Sequence, residues 1–172
     1  MAKGPGSTRT SRWPKAVVGS NDGEIEDLYF RDGRRVEYDE LSTAKKKLVK
    51  GEKKRIFKEL YQKLQNTATP QVIDNNERIE IYYTSKGLDH FCNDAMLTLS
   101  GKYFSRASMM KIDEILKKST YLPGPHGLTH PRTDGRDLWF SYQDADGRSV
   151  YFKVDWNKKL KKYELYSVVD SI

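Results

Sequence analysis

The sequence predicts an α+β fold: two helices packed on a small antiparallel sheet of about four strands, preceded by a β-hairpin and a long basic helix. Three observations lead there. Between Arg78 and Ile172 the hydrophobic pattern reads strand, helix, helix and then three strands. Across that stretch the apolar period passes from about 2 to about 3.6 and back. Upstream, Asp32-Gly33 separates two aromatic-bearing runs, a strong short-range hairpin signal. A chain of 172 residues holds one ordinary domain and an appendage. We divide it into a flexible basic arm over 1–20, a hairpin plus basic amphipathic helix over 21–70, and a compact α+β domain over 71–172.

Each element has a local reason. The arm is rich in Gly, Ser, Pro and basic residues and has no sustained period. Glu26 to Phe30 and Arg35 to Tyr38 read as the hairpin strands around Arg31-Asp32-Gly33-Arg34. From about Ser42 to Gln65 a helix is expected, with Ala44, Leu48, Phe57, Leu60, Tyr61 and Leu64 on one stripe and Gly51 as a kink point. Pro70 should end that helix and push Thr69 towards extended geometry. Arg78 to Tyr83 alternates as a strand, and Ser85 is a good N-cap type for the next helix. Its stripe is Leu88, Phe91, Cys92, Ala95, Met96 and Leu99, and Gly101 closes it. A second helix over about Ser105–Lys118 buries Met109, Ile112, Ile115 and Leu116.

Tyr121 to Gly135 reads as a Pro/Gly/His loop. Strands follow at Asp137–Gln143, Ser149–Asp155 and Lys162–Val169, with turns at Asp144 to Gly147 and Asn157 to Lys159. Alternation there puts one face on the helices and leaves Trp139, Ser141, Tyr151 and Lys153 on the other.

Composition excludes several classes. No apolar run approaches the ~20 residues that cross a bilayer, so no membrane partner is expected. The single Cys92 rules out an internal disulfide and a cysteine-built zinc site; it fits a reducing compartment and a core position. Residues 1–66 hold 16 Lys/Arg against 10 Asp/Glu, whereas residues 67–172 hold 15 against 14. The formal charge of +7 therefore belongs almost wholly to the front. That pattern suits an electrostatic docking segment on a separate folded unit, or simple solubility.

Four groups of residues carry candidate chemistry. Lys86 and His90 are four apart, hence on one helical face, opposite the apolar stripe. Imidazole can take or return a proton near neutral pH, and the ammonium can hold a phosphate oxygen. His126 and His130 sit in the loop with Thr129, Arg132 and Arg136. Too many prolines and glycines surround the two histidines for a helical zinc pair, so no metal is expected. Trp139, Ser141, Tyr151, Lys153 and Tyr166 on the open sheet face could stack on a base and meet a phosphate. Lys45–Lys47, Lys50, Lys53–Arg55 and Lys58 form the densest basic cluster, with Lys46 and Lys54 as its candidate RNA contacts. Each group also has a plainer reading as wet surface. There is no phosphate-binding glycine loop, dinucleotide fingerprint, Cys-x-x-Cys, His-Glu-x-x-His or Gly-x-Ser-x-Gly, and no cofactor is expected.

The strand-into-helix piece Ile79 to Phe91 and the closing run Trp139 to Val169 resemble the BECR superfamily, the barnase/EndoU/colicin/RelE-like ribonucleases of phage-associated and polymorphic toxins. The likeness covers about residues 77–172. It implies RNA cleavage without metal: a 2′-hydroxyl attacks the adjacent phosphorus, one group takes its proton and another protonates the leaving oxygen. On that reading His90 transfers protons beside cationic Lys86, and Arg136, or else Arg132, holds the phosphate. Lys153 and Ser167, with Tyr166 nearby, line the sheet face. No second histidine falls on a strand, so the partner in proton transfer would be His126, His130, a Tyr or a Lys. The resemblance implies a toxin-type endoribonuclease acting in the cytoplasm, delivered or encoded on a phage or mobile element, with tRNA as one substrate and an acidic inhibitor as a second partner. The competing readings are a non-catalytic nucleic-acid-binding module and a protein-interaction or immunity-like partner.

Overall fold

A computed structural model describes residues 30–31, 34–35, 38–98, 106–123, 137–144 and 147–169. Its elements are β1 (Phe30–Arg31), β2 (Arg34–Arg35), α1 (Thr43–Leu64), β3 (Ala68–Val72), β4 (Arg78–Tyr82) and α2 (Ser85–Asn93). There follow α3 (Arg106–Met109), α4 (Ile112–Lys118), β5 (Thr120–Tyr121), β6 (Leu138–Gln143), β7 (Ser149–Asn157) and β8 (Lys162–Val169). The class is α+β. The main sheet is larger than predicted and mixed, with six strands in the order β3-β4-β8-β7-β6-β5. β4 and β8 pair in parallel through Ile81↔Tyr163 and Tyr82↔Glu164, and every other neighbour is antiparallel. β1 and β2 pair antiparallel through Phe30↔Arg35 and Arg31↔Arg34, and the rest of the predicted hairpin lies outside the described residues.

The added strands are β3 and β5. Pro70 stops the helix as expected, yet lies inside β3, opposite Glu80. It is tolerated because β3 is the edge strand, where a missing N–H leaves no ladder bond unmade. Asn75 and Asn76 take left-handed backbone (φ 58 and 59), turning β3 back into β4. β5 occupies the start of the predicted loop by pairing Thr120 and Tyr121 with Ser141 and Phe140 of β6.

α1 begins at Ser42, whose hydroxyl accepts from Lys45 N at 3.3 Å, and runs unbroken past Gly51. Its buried stripe is Val49, Glu52, Ile56, Leu60 and Leu64, rotated from the predicted one; Ala44 is exposed and Leu48, Phe57 and Tyr61 are half-buried. The rotation is possible because Glu52, only 1% exposed, is paired with Arg106 of α3 at 3.1 Å and with Arg55. The predicted second helix is split into α3 and α4 at Met110-Lys111. Gln71 of β3 donates to Leu116 O (2.8 Å) and Ser119 O (2.8 Å), satisfying carbonyls at the end of α4. Leu60, Leu88, Phe91, Ile112, Phe140, Phe152 and Leu165 meet in one core between helices and sheet. Cys92 is a core residue, and burial pushes its thiol up to about 12. Among the described residues no helix is long and apolar enough to cross a membrane.

Candidate functional site

β4 accompanies β8 only as far as Glu164. Beyond that point the edge of β8 would be bare, and α2 lies against it instead. Thr84, not Ser85, caps α2: its hydroxyl accepts from Gly87 N at 3.0 Å and donates to Glu164 Oε1. Glycine at 87 permits the approach, since a Cβ there would overlap the Leu165 carbonyl oxygen. One turn on, His90 Nδ1 donates to Tyr166 O at 3.0 Å. The helix thus satisfies a strand-edge carbonyl that no neighbouring strand reaches.

A bulge in β8 completes the arrangement. Lys153 of β7 pairs with Ser167 while Val154 pairs with Leu165, so Tyr166 is an extra residue. Its ring stacks on His90 with centroids 4.0 Å apart and planes 17° from parallel. Lys153 Nζ lies 5.4 Å from the centroid of the same ring. Ser167 is buried and its hydroxyl donates to Asp94 Oδ2. Asp94 Oδ2 also lies 3.3 Å from His90 Nδ1. Asp94 opens a π-turn (Asp94–Thr98) at the end of α2, an irregularity that recurs at functional sites. Nδ1 is therefore held as the donor by a carbonyl and a carboxylate, which leaves Nε2 as the nitrogen able to accept a proton. The His90 side chain is 41% exposed.

Lys153 extends the site towards β6. Its ammonium is 3.5 Å from Asp155 Oδ1 and 3.8 Å from Asp137 Oδ2. Burial first, then a hydrogen bond shared with Asp137, raises the Asp155 carboxyl to about 6 against the lowering pull of Lys153. Below about pH 6 a proton therefore resides on Asp155, beside the Asp137 carboxyl and the Lys153 ammonium. Four carboxyl groups, Asp94, Asp137, Asp155 and Glu164, line this seam. Sequence inspection passed over all of them, because an isolated Asp or Glu on a polar strand face reads as wet surface. Adjacent Lys153-x-Asp155 on one strand face was the available signal.

The structure gathers some of the predicted residues and separates others. His90, Lys153, Tyr166 and Ser167 are brought together. Trp139, Ser141 and Tyr151 share the half-buried open face of β6 and β7 with Lys153, alternating with buried Leu138, Phe140, Val150 and Phe152. Lys86 is exposed one turn before His90 on the same helical face. Lys46 and Lys54 lie apart from this seam on α1, half-buried and exposed respectively. His126, His130, Arg132 and Arg136 lie outside the described residues. Among the described residues there is no group of three or more His, Cys, Asp or Glu side chains placed to hold a metal ion. No protein-family model, curated protein or solved structure matches the chain.

Proposed function

We propose that the protein is an endoribonuclease that cleaves RNA by 2′-hydroxyl attack on the adjacent phosphorus, without a metal in the step. The observation that carries the reading is His90, anchored through Nδ1 by Tyr166 O and Asp94 while its other nitrogen stays available. In the reaction Nε2 takes the 2′-hydroxyl proton, and the attacking oxygen forms its bond to phosphorus. The bond to the 5′-oxygen breaks, and that oxygen receives the proton held by Asp155. A 2′,3′-cyclic phosphate and a 5′-hydroxyl result. Lys153 and Lys86 offset the charge gathering on the non-bridging oxygens. Ser167 and Asp94 are positioning residues that act through the imidazole. Asp155, rather than a second histidine, supplies the acid, and its neutral form removes one of the four negative charges that would repel a phosphate. Trp139 and Tyr151 offer stacking surfaces for an unpaired base, while the Tyr166 ring is taken up by His90 and Lys153.

The likeness to barnase/EndoU/colicin/RelE-type toxins is consistent with this chemistry and with tRNA as a substrate. The same face could bind nucleic acid without turnover. A protein-docking role has less behind it: among the described residues the exposed large apolar side chains are Val72 and Leu160, too few for the apolar centre of an interface. Incubating the protein with tRNA and with short single-stranded RNA in EDTA separates the readings. Cyclic-phosphate ends that disappear in His90→Gln support the nuclease; salt-sensitive binding with intact RNA supports the non-catalytic module.

A further inference from the structure

We infer that the outer face of α1 is a docking surface for the phosphate backbone of double-helical RNA, so that the substrate is a structured RNA with paired and unpaired parts. Lys47, Lys50, Lys54 and Lys58 recur three and four residues apart on the side of α1 opposite Val49, Ile56 and Leu60. All four are exposed, and among the described residues none has a hydrogen-bond or ion-pair partner. The basic residues beside them are already engaged: Lys53 holds Asp89 (3.3 Å) and Asn93 (2.7 Å) of α2, and Arg55 pairs with Glu52. At ~1.5 Å rise per residue the stripe spans about 16 Å. That length is enough for the four ammonium groups to meet several phosphates of a duplex backbone at once.

Three features select this occupant. No carboxylate interrupts the stripe, which leaves its field uncancelled. Gly51 lies within it, with open space where a Cβ would stand, so a bulky backbone can come close to the helix. The aromatics bordering the stripe, Phe57 and Tyr61, are half-buried and stacked on each other (centroids 5.9 Å apart), so they stand as a closed pair rather than as the open platform that base stacking, a lipid surface or a protein hot spot would require. The stacking groups are on the sheet face instead. The helix therefore takes the paired region and the sheet the unpaired one.

This rests on the reading of RNA as substrate, and its test reads binding rather than turnover. Fluorescence anisotropy of a short RNA duplex is followed against salt for the wild type and for Lys47→Gln/Lys50→Gln/Lys54→Gln/Lys58→Gln. We expect about a tenfold or greater loss of duplex affinity near 0.1 M salt, and a log–log salt slope shallower by about 3 to 4. Cleavage of a dinucleotide, too short to reach α1, should be unchanged, so failure of the nuclease reading and failure of this one are separable. Unchanged duplex binding overturns the inference. So does an equal loss in Lys111→Gln/Lys117→Gln/Lys118→Gln/Lys159→Gln, which would reveal a net-charge effect. Equal stripe-dependent binding of polyglutamate, pointing to an acidic protein, or of single-stranded RNA also overturns it.

Discussion

The seam between α2 and β8 and the outer face of α1 carry charge in opposite ways. At the seam, Lys153 has two carboxylates and an aromatic ring around it, and His90 has a carbonyl, a carboxylate and a stacked tyrosine. Each group there is partly desolvated and sets the proton affinity or orientation of its neighbour. On α1 four exposed lysines have no ion-pair partner among the described residues. Those charges act at long range, add nearly independently and are screened by salt. Coupled groups can do proton chemistry, whereas independent ones can attract and hold a polyanion.

The largest effect that would break this contrast is on turnover. Replacing His90 by Gln removes the proton acceptor and should lower cleavage by about 10²–10⁴-fold, read as initial rates on a short RNA. Ser167→Ala should cost far less, since the hydroxyl only steadies Asp94; a loss equal to that of His90→Gln would make Ser167 a direct participant. Next comes the fit of helix to strand. Gly87→Ala forces a methyl against the Leu165 carbonyl and should destabilise the fold by about 2–3 kcal/mol in urea or thermal unfolding.

A smaller effect belongs to Asp155. Its folded carboxyl stands at about 6 against an ordinary value of 3.8, so the folded state binds more protons between those values. Stability should therefore fall as pH rises from about 4 to 6 and level off above. Asp155→Asn should flatten that decline by on the order of 1–2 kcal/mol. On α1, Gly51→Ala should add about 0.5–1 kcal/mol of stability, because Gly51 has helical surroundings and open space beside it. Any single Lys-to-Gln change on the stripe should move stability by less than about 0.5 kcal/mol.

Much of the fold could be read from residue pattern, for identifiable reasons. β6, β7 and α2 alternate or repeat so regularly that only one face can be apolar, and their buried sets match the pattern: Leu138 and Phe140, Val150, Phe152 and Val154, Leu88, Phe91 and Cys92. α1 misled because a buried carboxylate, Glu52, occupies a stripe position and only the distant Arg106 makes that tolerable. β3 was hidden by Pro70, whose tolerance depends on an edge location no local pattern reveals; Asn75-Asn76 was the turn signal. The parallel pairing of β4 with β8 is set by contacts far apart in sequence.

The site was legible in the same partial way. Alternation put Lys153 with Trp139 and Tyr151 on the open face. In a regular strand, adjacent Tyr166 and Ser167 would point to opposite sides, and the bulge is what gathers both near His90. Asp94, Asp137 and Asp155 gain meaning only from burial and from each other, which residue type alone does not show.

The pH profile of kcat/KM for a dinucleotide, wild type against Asp155→Asn, tests the central claim most directly. A general acid works only while protonated. Wild-type activity should therefore fall by about tenfold per pH unit above about 6, and the variant should retain a low rate without that fall. Profiles of the same shape in both proteins, or undiminished cleavage by the variant, would contradict proton transfer from Asp155.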